Sequence, residues 1–424
     1  MNKREQLKEI LEYIPSGAQT LSKNPSQYVI GVTPPALVRG KGAYVWDSEG
    51  KKYLDLILGL GPMVFGYANE RIDAAVKAQI DRGTIFSLPS EHELALAKVL
   101  REVVPCAEMS RFYLNGNDAT SGAIRLARHI TKRDRVAKCG YHGWQDWSIG
   151  PKSGRNAGVP EIVKSLTHEF AYNDTPSLKK ILADYPGQIA AVILEPVTTE
   201  PPRTDFLEQV KELAHEHGAI FVFDELVTGF RWALGGAQEY FGVTPDLACF
   251  GKAISGGYPL SVLSGKKEFM KKMDEVFVSM TFAGYTVGLV AALEAIAMMR
   301  EFGDVHEHMH MLGQYLMNGG NDIARSLELP IEFVGYGPHP VMKVGGEDLA
   351  GRIIKTYIYQ EMHKAGILFS SSLMLGYTHT KEQMDQVLAV FRTIAERLRG
   401  ASPDTVKTWL EGEIIAPRTV RNVQ

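Results

Sequence analysis

The chain lacks the features that tie many proteins to a compartment or a macromolecular partner. It has three cysteines in 424 residues, Cys106, Cys139 and Cys249. They show no metal-ligand spacing and cannot all pair within one chain, so a reducing compartment is expected, with no metal site and no disulfide framework. No stretch reaches the ~18 uncharged apolar residues of a membrane span. The opening Met1-Asn2-Lys3-Arg4-Glu5-Gln6 has no apolar signal core, which makes cytoplasmic the expected location. Charge of one sign is also missing. With 46 basic and 49 acidic residues the net charge is −3, so neither nucleic acid nor an anionic membrane is expected as a partner. Repeats and low-complexity tracts are absent. The 45% hydrophobic and 22% charged content is that of a soluble globular chain long enough for two domains of unequal size.

What is present is alternation. Residues 3–13 put Leu7, Ile10 and Leu11 on one helical face, and a proline-bearing polar arm runs from Pro15 to Pro35. Residues 43–55 read as a hairpin, with Asp47, Ser48 and Gly50 in a turn between β-prone flanks. From about residue 70, helical periodicity (69–82, 91–103, 118–131, 204–217) alternates with strands (111–114, 135–139, 189–194, 219–223, 247–250, 260–264) and ends in a small-residue helix over 285–302. This pattern predicts an α/β fold, a mostly parallel central sheet flanked by helices. Beyond residue 305, helices over 305–327, 347–365 and 380–399 around strands near 331–344 read as a smaller α+β domain. The expected division is 1–65 (arm and part of the small domain), 66–304 (large domain) and 305–424 (the rest of the small domain).

Polar residues collect just past the strand C-terminal ends, where open α/β sheets bind ligands. Ile220 to Phe223 run straight into Asp224 and Glu225. A carboxylate there is costly to bury without a cationic partner. Neighbouring strand residues face opposite ways, so only one of the two acids can meet a given ligand. The bland alternative for Asp224 is an N-cap or an ion pair with Arg231. Further on, Phe250-Gly251-Lys252 delivers one lysine among small and apolar residues, where burial would make its amine nucleophilic. An acid and an amine so placed can hold a pyridine-aldehyde cofactor, the acid keeping the ring nitrogen protonated and the amine forming a Schiff base. The bland alternative is a lysine on a surface loop.

Leu114-Asn115-Gly116-Asn117-Asp118 joins a strand to a helix beginning at about Asp118. Exposed N–H groups, a glycine and two amides at a helix N-terminus suit a phosphate, although a capped turn explains the segment equally simply. No Gly-Lys-Ser/Thr follows, so it is not a P-loop. Tyr141-His142-Gly143-Trp144 offers a flat aromatic for stacking. Glu195 ends another strand. Thr281 precedes the small-residue helix, where a hydroxyl either caps it or binds phosphate.

Taken in order, these residues resemble the class III aminotransferases, pyridoxal-phosphate enzymes of fold type I, and within them the glutamate-1-semialdehyde aminomutase branch. The resemblance runs from about Ile14 to Arg399. It is most specific in Phe223-Asp224-Glu225-Leu226-Val227-Thr228-Gly229-Phe230-Arg231 and Phe250-Gly251-Lys252. It implies pyridoxal 5'-phosphate as cofactor and residues 66–304 as the domain that binds it. Lys252 would be the Schiff-base lysine and proton shuttle, and Asp224 would meet the pyridine nitrogen. Leu226 would pack on one ring face and Tyr141 or His142 on the other. Asn115, Gly116 and Asn117 would hold the phosphate, with Glu195 also at the cofactor. Thr281 would reach the phosphate of the partner subunit, which implies a homodimer.

The chain departs from that branch on the substrate side. The phosphate loop is Asn115-Gly116-Asn117 where relatives have Ser-Gly-Thr. Leu60 stands where aminomutases have tryptophan, Met374 and Leu375 where they have a glutamate before the glycine matching Gly376, and Lys23 where they have an arginine. The expected activity is therefore amino transfer between an amine donor and a small or sugar-like aldehyde or ketone. A 1,2-amino shift of the glutamate-1-semialdehyde type and ammonia elimination from an amino alcohol are the alternatives. A non-catalytic phosphate-ligand binder on the same fold is the reading from a different class. Gln19, Lys23 and Ser371 are the candidate substrate contacts.

Overall fold

The computed structural model describes residues 2–150, 154, 156–346 and 348–417. They divide into two compact units, residues 2–69 with 307–417, and residues 70–306.

The first unit opens with the helix Lys3–Tyr13. Its capping box is complete: the Asn2 side chain accepts from the Glu5 N–H and Glu5 accepts from the Asn2 N–H. Strands β1 (Leu37–Lys41), β2 (Tyr44–Asp47) and β3 (Lys52–Asp55) pair antiparallel in sequence order. The Asp47 carboxylate builds the β2–β3 turn by accepting from the N–H groups of Glu49 and Lys51.

The second unit carries seven strands, β4 (Met109–Tyr113), β5 (Arg135–Cys139), β6 (Thr167–Glu169), β7 (Ile189–Leu194), β8 (Ile220–Glu225), β9 (Leu247–Phe250) and β10 (Ser261–Gly265). Their order in the sheet is β4-β10-β9-β8-β7-β5-β6. Only β10 runs antiparallel, to both of its neighbours. Two reversals cancel, so β4 points the same way as β9. The C-terminal ends of β4, β5, β7, β8 and β9 therefore share one edge of the sheet. Every residue of β7 and β8 is buried, as expected where both faces of a sheet are covered. The helix Gly116–Thr131 lays Ala119, Ala123, Leu126 and Ala127 into the same core as Ile193, Val222 and Leu247. Small residues on that helix bring its backbone close to the strands.

The chain then returns to the first unit. Strands β11 (Ile331–Tyr336) and β12 (His339–Val344) form a hairpin, and β13 (Ile367–Leu368) adds parallel to β3. The helices Leu349–Lys364 and Lys381–Leu398 share a core with them that includes Phe333, Tyr357, Phe369 and Phe391. Sequence periodicity does not find β1, β6 or β13. A strand of two or three residues is too short to display a period, and β1 is largely exposed. The three cysteines are buried and unpaired. No helix among the described residues is long and apolar enough to cross a membrane.

Candidate active site

The shared strand edge gathers most of the residues singled out in the sequence. Asp224 is the penultimate residue of β8, with its side chain 2% exposed. Its Oδ2 lies 2.7 Å from His142 Nδ1, and its Oδ1 accepts the Leu226 N–H at 3.1 Å. These bonds, not an ion pair with Arg231, orient the carboxylate. His142 follows β5, two strands away from β8. It is fully buried, its ring lies parallel to Trp147 (centroids 6.2 Å apart, 7° between planes), and its backbone carbonyl accepts from Thr120 Oγ1 at 2.8 Å. An imidazole held on all these sides is a support for Asp224. The pairing had no sequence signal, because it depends on the strand order.

Glu225 points the other way and is saturated. Its carboxylate accepts from Ala237 N (2.6 Å), Gln238 N and Nε2 (3.1 Å each) and Thr228 Oγ1 (2.7 Å). Burial pushes its pKa up, and the four donors offset part of that rise. Glu225 therefore ties the turn after β8 to the helix Ala237–Phe241 and is not a ligand group.

The helix after β4 starts at Gly116, two residues earlier than the sequence suggested, with Asn115 as N-cap. The Asn115 side chain does not cap the helix. It donates to Asp118 Oδ2 at 3.1 Å, and Asn117 Nδ2 donates to Asp118 Oδ1 at 3.3 Å. The Asn115 carbonyl is held instead by Ser261 Oγ of β10, at 2.7 Å. The first N–H groups of a helix have no acceptor within it, and here no N-cap side chain takes them.

Leu226 wedges between this helix start and the lysine turn. A Cβ on Gly116 would sit 2.6 Å from both Leu226 methyl carbons, and one on Gly251 would sit 2.8 Å from Cδ2. A side chain at either place would force Leu226 to shift. Lys252 follows at once, half-buried, with φ of +47°, at the head of the short turn Lys252–Ser255. A lysine in left-handed backbone costs about 1–3 kcal/mol, and such strain collects at functional sites. Likewise, a Cβ on Gly143 would meet Asn117 Cβ at 2.5 Å, and one on Gly140 would meet Glu195 Oε2 at 2.5 Å. Glu195 Oε2 also accepts the Tyr141 N–H at 3.0 Å, and the Tyr141 ring stays exposed.

Asn115, Gly116, Asn117, Tyr141, His142, Glu195, Asp224 and Leu226 thus lie together within one unit, and Lys252 follows Gly251, which abuts Leu226. Thr281 has none of these contacts; it is exposed in the turn ahead of the helix Thr286–Phe302. The candidate substrate contacts lie in the first unit. Gln19 and Lys23 are exposed, but Ser371 is 4% exposed and its hydroxyl is committed to the Tyr359 hydroxyl at 2.7 Å. A phosphorylated pyridine aldehyde asks for a buried carboxylate, an uncapped helix N-terminus and an amine. The second unit has all three along one strand edge, so the residues fit pyridoxal phosphate.

The family model for class-III aminotransferases matches residues 29–394. The chain is 35% identical over 404 residues to the 3-aminobutyryl-CoA aminotransferase of Cloacimonas acidaminovorans, covering 91% of this chain and 94% of that protein. It is 36% identical over 342 residues to a glutamate-1-semialdehyde 2,1-aminomutase of Methanosphaera stadtmanae, covering 77% and 79%. Among solved structures, an omega-transaminase from Sphaerobacter thermophilus superposes with a TM-score of 0.85 at 26% identity, over 94% of this chain and 98% of that one. The chain belongs to the class-III aminotransferases, a family of pyridoxal-phosphate-dependent enzymes.

Proposed function

We propose that the protein transfers an amino group from an amine donor to a small or sugar-like aldehyde or ketone, with Lys252 as the catalytic residue. The observation that carries this reading is the Leu226 wedge, which couples an uncapped helix start to the strained turn bearing Lys252, beside a buried and oriented Asp224.

When bound, pyridoxal phosphate supplies an aldehyde that captures amines and a ring that accepts electrons. Lys252 Nζ is the amine that would hold the aldehyde carbon and give it up to a donor amine. The Lys252 amine, once free, would serve as the base and acid that moves the proton of the donor carbon. Asp224 would keep the ring nitrogen protonated, its carboxylate aimed by His142 Nδ1 and the Leu226 N–H. Leu226 would pack on one ring face and Tyr141 on the other. The bond of His142 to Asp224 and its packing on Trp147 favour Tyr141 over His142 for that stacking. Glu195 fixes the Tyr141 backbone. The N–H groups of Gly116 and Asn117 would hold the phosphate, joined by the Asn115 and Asn117 amide protons not spent on Asp118. Gln19 and Lys23 are the proposed substrate contacts.

Amino transfer is favoured over the aminomutase reaction by Met374 and Leu375. Both are buried apolar residues where that branch uses a glutamate, so they offer no charge to a substrate amine. A homodimer is proposed from the exposed Phe86, Leu88, Phe277 and Phe282, which would otherwise face water, and a cytoplasmic location from the three reduced cysteines. Purified protein should absorb near ~400 nm, lose the band as Lys252→Ala, and change spectrum with an amine donor alone, recovering when a carbonyl acceptor is added. A colourless protein that takes up no added cofactor would sink the reading. Turnover of a single amine without an acceptor would favour the shift or the elimination.

A further inference from the structure

The sequence holds two Asn-Gly pairs, Asn115-Gly116 and Asn318-Gly319. Asparagine before glycine is open to attack by its own backbone. The glycine nitrogen can reach the asparagine Cγ because no side chain on the second residue obstructs it. The structure treats the two pairs differently. Asn318 and Gly319 lie inside the helix Val305–Ser326, where the Gly319 N–H is spent on the preceding turn. Asn115 stands ahead of its helix in extended backbone (φ −109°, ψ 145°) and is exposed. Gly116 is the first helical residue, so its N–H has no acceptor within the helix. The Asn115 amide donates to Asp118 Oδ2 at 3.1 Å in an exposed pair, a bond that water replaces at little cost. Ring closure also needs rotation about the Asn115 Cα–C bond. Two bonds to its carbonyl resist that turn, from Asp118 N–H at 3.0 Å and Ser261 Oγ at 2.7 Å.

We propose that Asn115 is a site of spontaneous deamidation, and that a bound phosphate protects it. The Gly116 nitrogen bonds to Asn115 Cγ, and the Cγ–Nδ2 bond breaks. The Gly116 N–H proton leaves with the amide nitrogen as ammonia. Water then opens the five-membered succinimide. Attack at Cγ gives aspartate, and attack at the backbone carbonyl gives isoaspartate. Nothing is oxidised or reduced, and water is the co-reactant.

Either product puts a carboxylate where the amide was. Asn115 then repels Asp118 in place of donating to it. The loop gains a second negative charge beside the N–H groups proposed to hold the phosphate. Aspartate is as good an N-cap as asparagine, so the helix tolerates the change and the cost falls on cofactor uptake. A cofactor-free chain thus loses its capacity to load with time, whereas a loaded chain keeps it. The deamidation depends on Asn115 and Gly116 alone; its link to the cofactor rests on the phosphate placement proposed above.

The test ages the full chain in warm, mildly alkaline buffer, with and without pyridoxal phosphate, and follows both Asn-Gly peptides by mass spectrometry. Asn115 should convert at least about tenfold faster than Asn318, the factor carried by the helical hydrogen bond that Gly319 must break. Ser261→Ala should hasten conversion at Asn115 by about two- to tenfold, and pyridoxal phosphate should slow it. Fresh Asn115→Asp, with an unchanged far-ultraviolet spectrum, should take up the cofactor about tenfold more weakly, since two like charges a few ångströms apart repel even in water. Asn115→Ser cannot form the ring and should keep its uptake through the same ageing. Conversion at Asn115 no faster than at Asn318, or uptake by Asn115→Ser declining as fast as in the unaltered chain, would overturn the deamidation and leave the phosphate placement standing. Rapid conversion with uptake intact in Asn115→Asp would overturn the link to the cofactor, and the phosphate placement with it.

Discussion

Gly116→Ala probes the contact on which the site assignment turns. Alanine is the better helix former by about 1 kcal/mol, so the backbone of the helix Gly116–Thr131 gains from the change. The obstacle is Leu226. The new Cβ would lie 2.6 Å from both of its methyl carbons, against ordinary contact at 3.4–4 Å. The leucine has little room to withdraw, because its Cδ2 already lies where a Cβ on Gly251 would be 2.8 Å away. Either the helix start or the leucine must shift, at an overpacking cost of about 1–3 kcal/mol. If the phosphate sits on this helix start and the ring on Leu226, that cost falls on the bound state. Pyridoxal phosphate should then bind about 5- to 150-fold more weakly, measured by spectral titration of cofactor-stripped protein. A second background isolates the cause: with Leu226→Ala in place, Gly116→Ala should cost less than about twofold, because the obstructing methyls are gone. Unchanged affinity in the single variant would refute the phosphate assignment. An equal loss in both backgrounds would refute the role of Leu226.

Two further outcomes follow. Phe277 and Phe282 are 84% and 57% exposed, and replacing both with serine should weaken self-association more than about a hundredfold, since burying one such ring contributes about 1.5–3 kcal/mol; sedimentation of the unaltered protein as a monomer would end the dimer proposal. Acid should destabilise the first unit through His363, whose Nε2 and Nδ1 bond the Phe369 carbonyl (2.9 Å) and Thr33 hydroxyl (2.8 Å). Burial, then Lys3 and Lys51, depress its pKa from 6.5 to about 4, against the pull of the Phe369 carbonyl. A depressed histidine gives stability that is complete above about pH 6.5 and is lost as pH falls toward 4, amounting to about 3 kcal/mol. Urea midpoints of wild type and His363→Gln should therefore converge between pH 7 and 4.5, and parallel pH profiles would contradict this account.

Much of the fold is legible in the chain because its long elements carry strong periods. The all-apolar run Ile189–Leu194 announces a strand covered on both faces, and the small residues at 119, 123 and 127 announce a helix pressed onto a sheet. The helix start was misread by two residues because Asn117 and Asp118 look like caps. In three dimensions both amides of the loop turn to Asp118, and Ser261 from another strand holds the Asn115 carbonyl.

The site divides in the same way. The sequence by itself determined the chemical parts: an acid at the end of a buried strand, a lysine after the next one, amides and a glycine at a helix start, and an aromatic pair. It also determined that Asp224 and Glu225 must part company, since adjacent strand residues face opposite sides. Only the tertiary structure decided which acid serves which purpose. The order β9-β8-β7-β5 carries His142 to Asp224, and the turn after β8 surrounds Glu225 with four donors. It alone revealed Leu226 wedged between Gly116 and Gly251. Residue types and local periods are written in one dimension. Which strand lies beside which, and which side chain fills the space a missing Cβ leaves, follow from packing between residues far apart in the chain, such as His142 with Asp224 and Gly116 with Leu226.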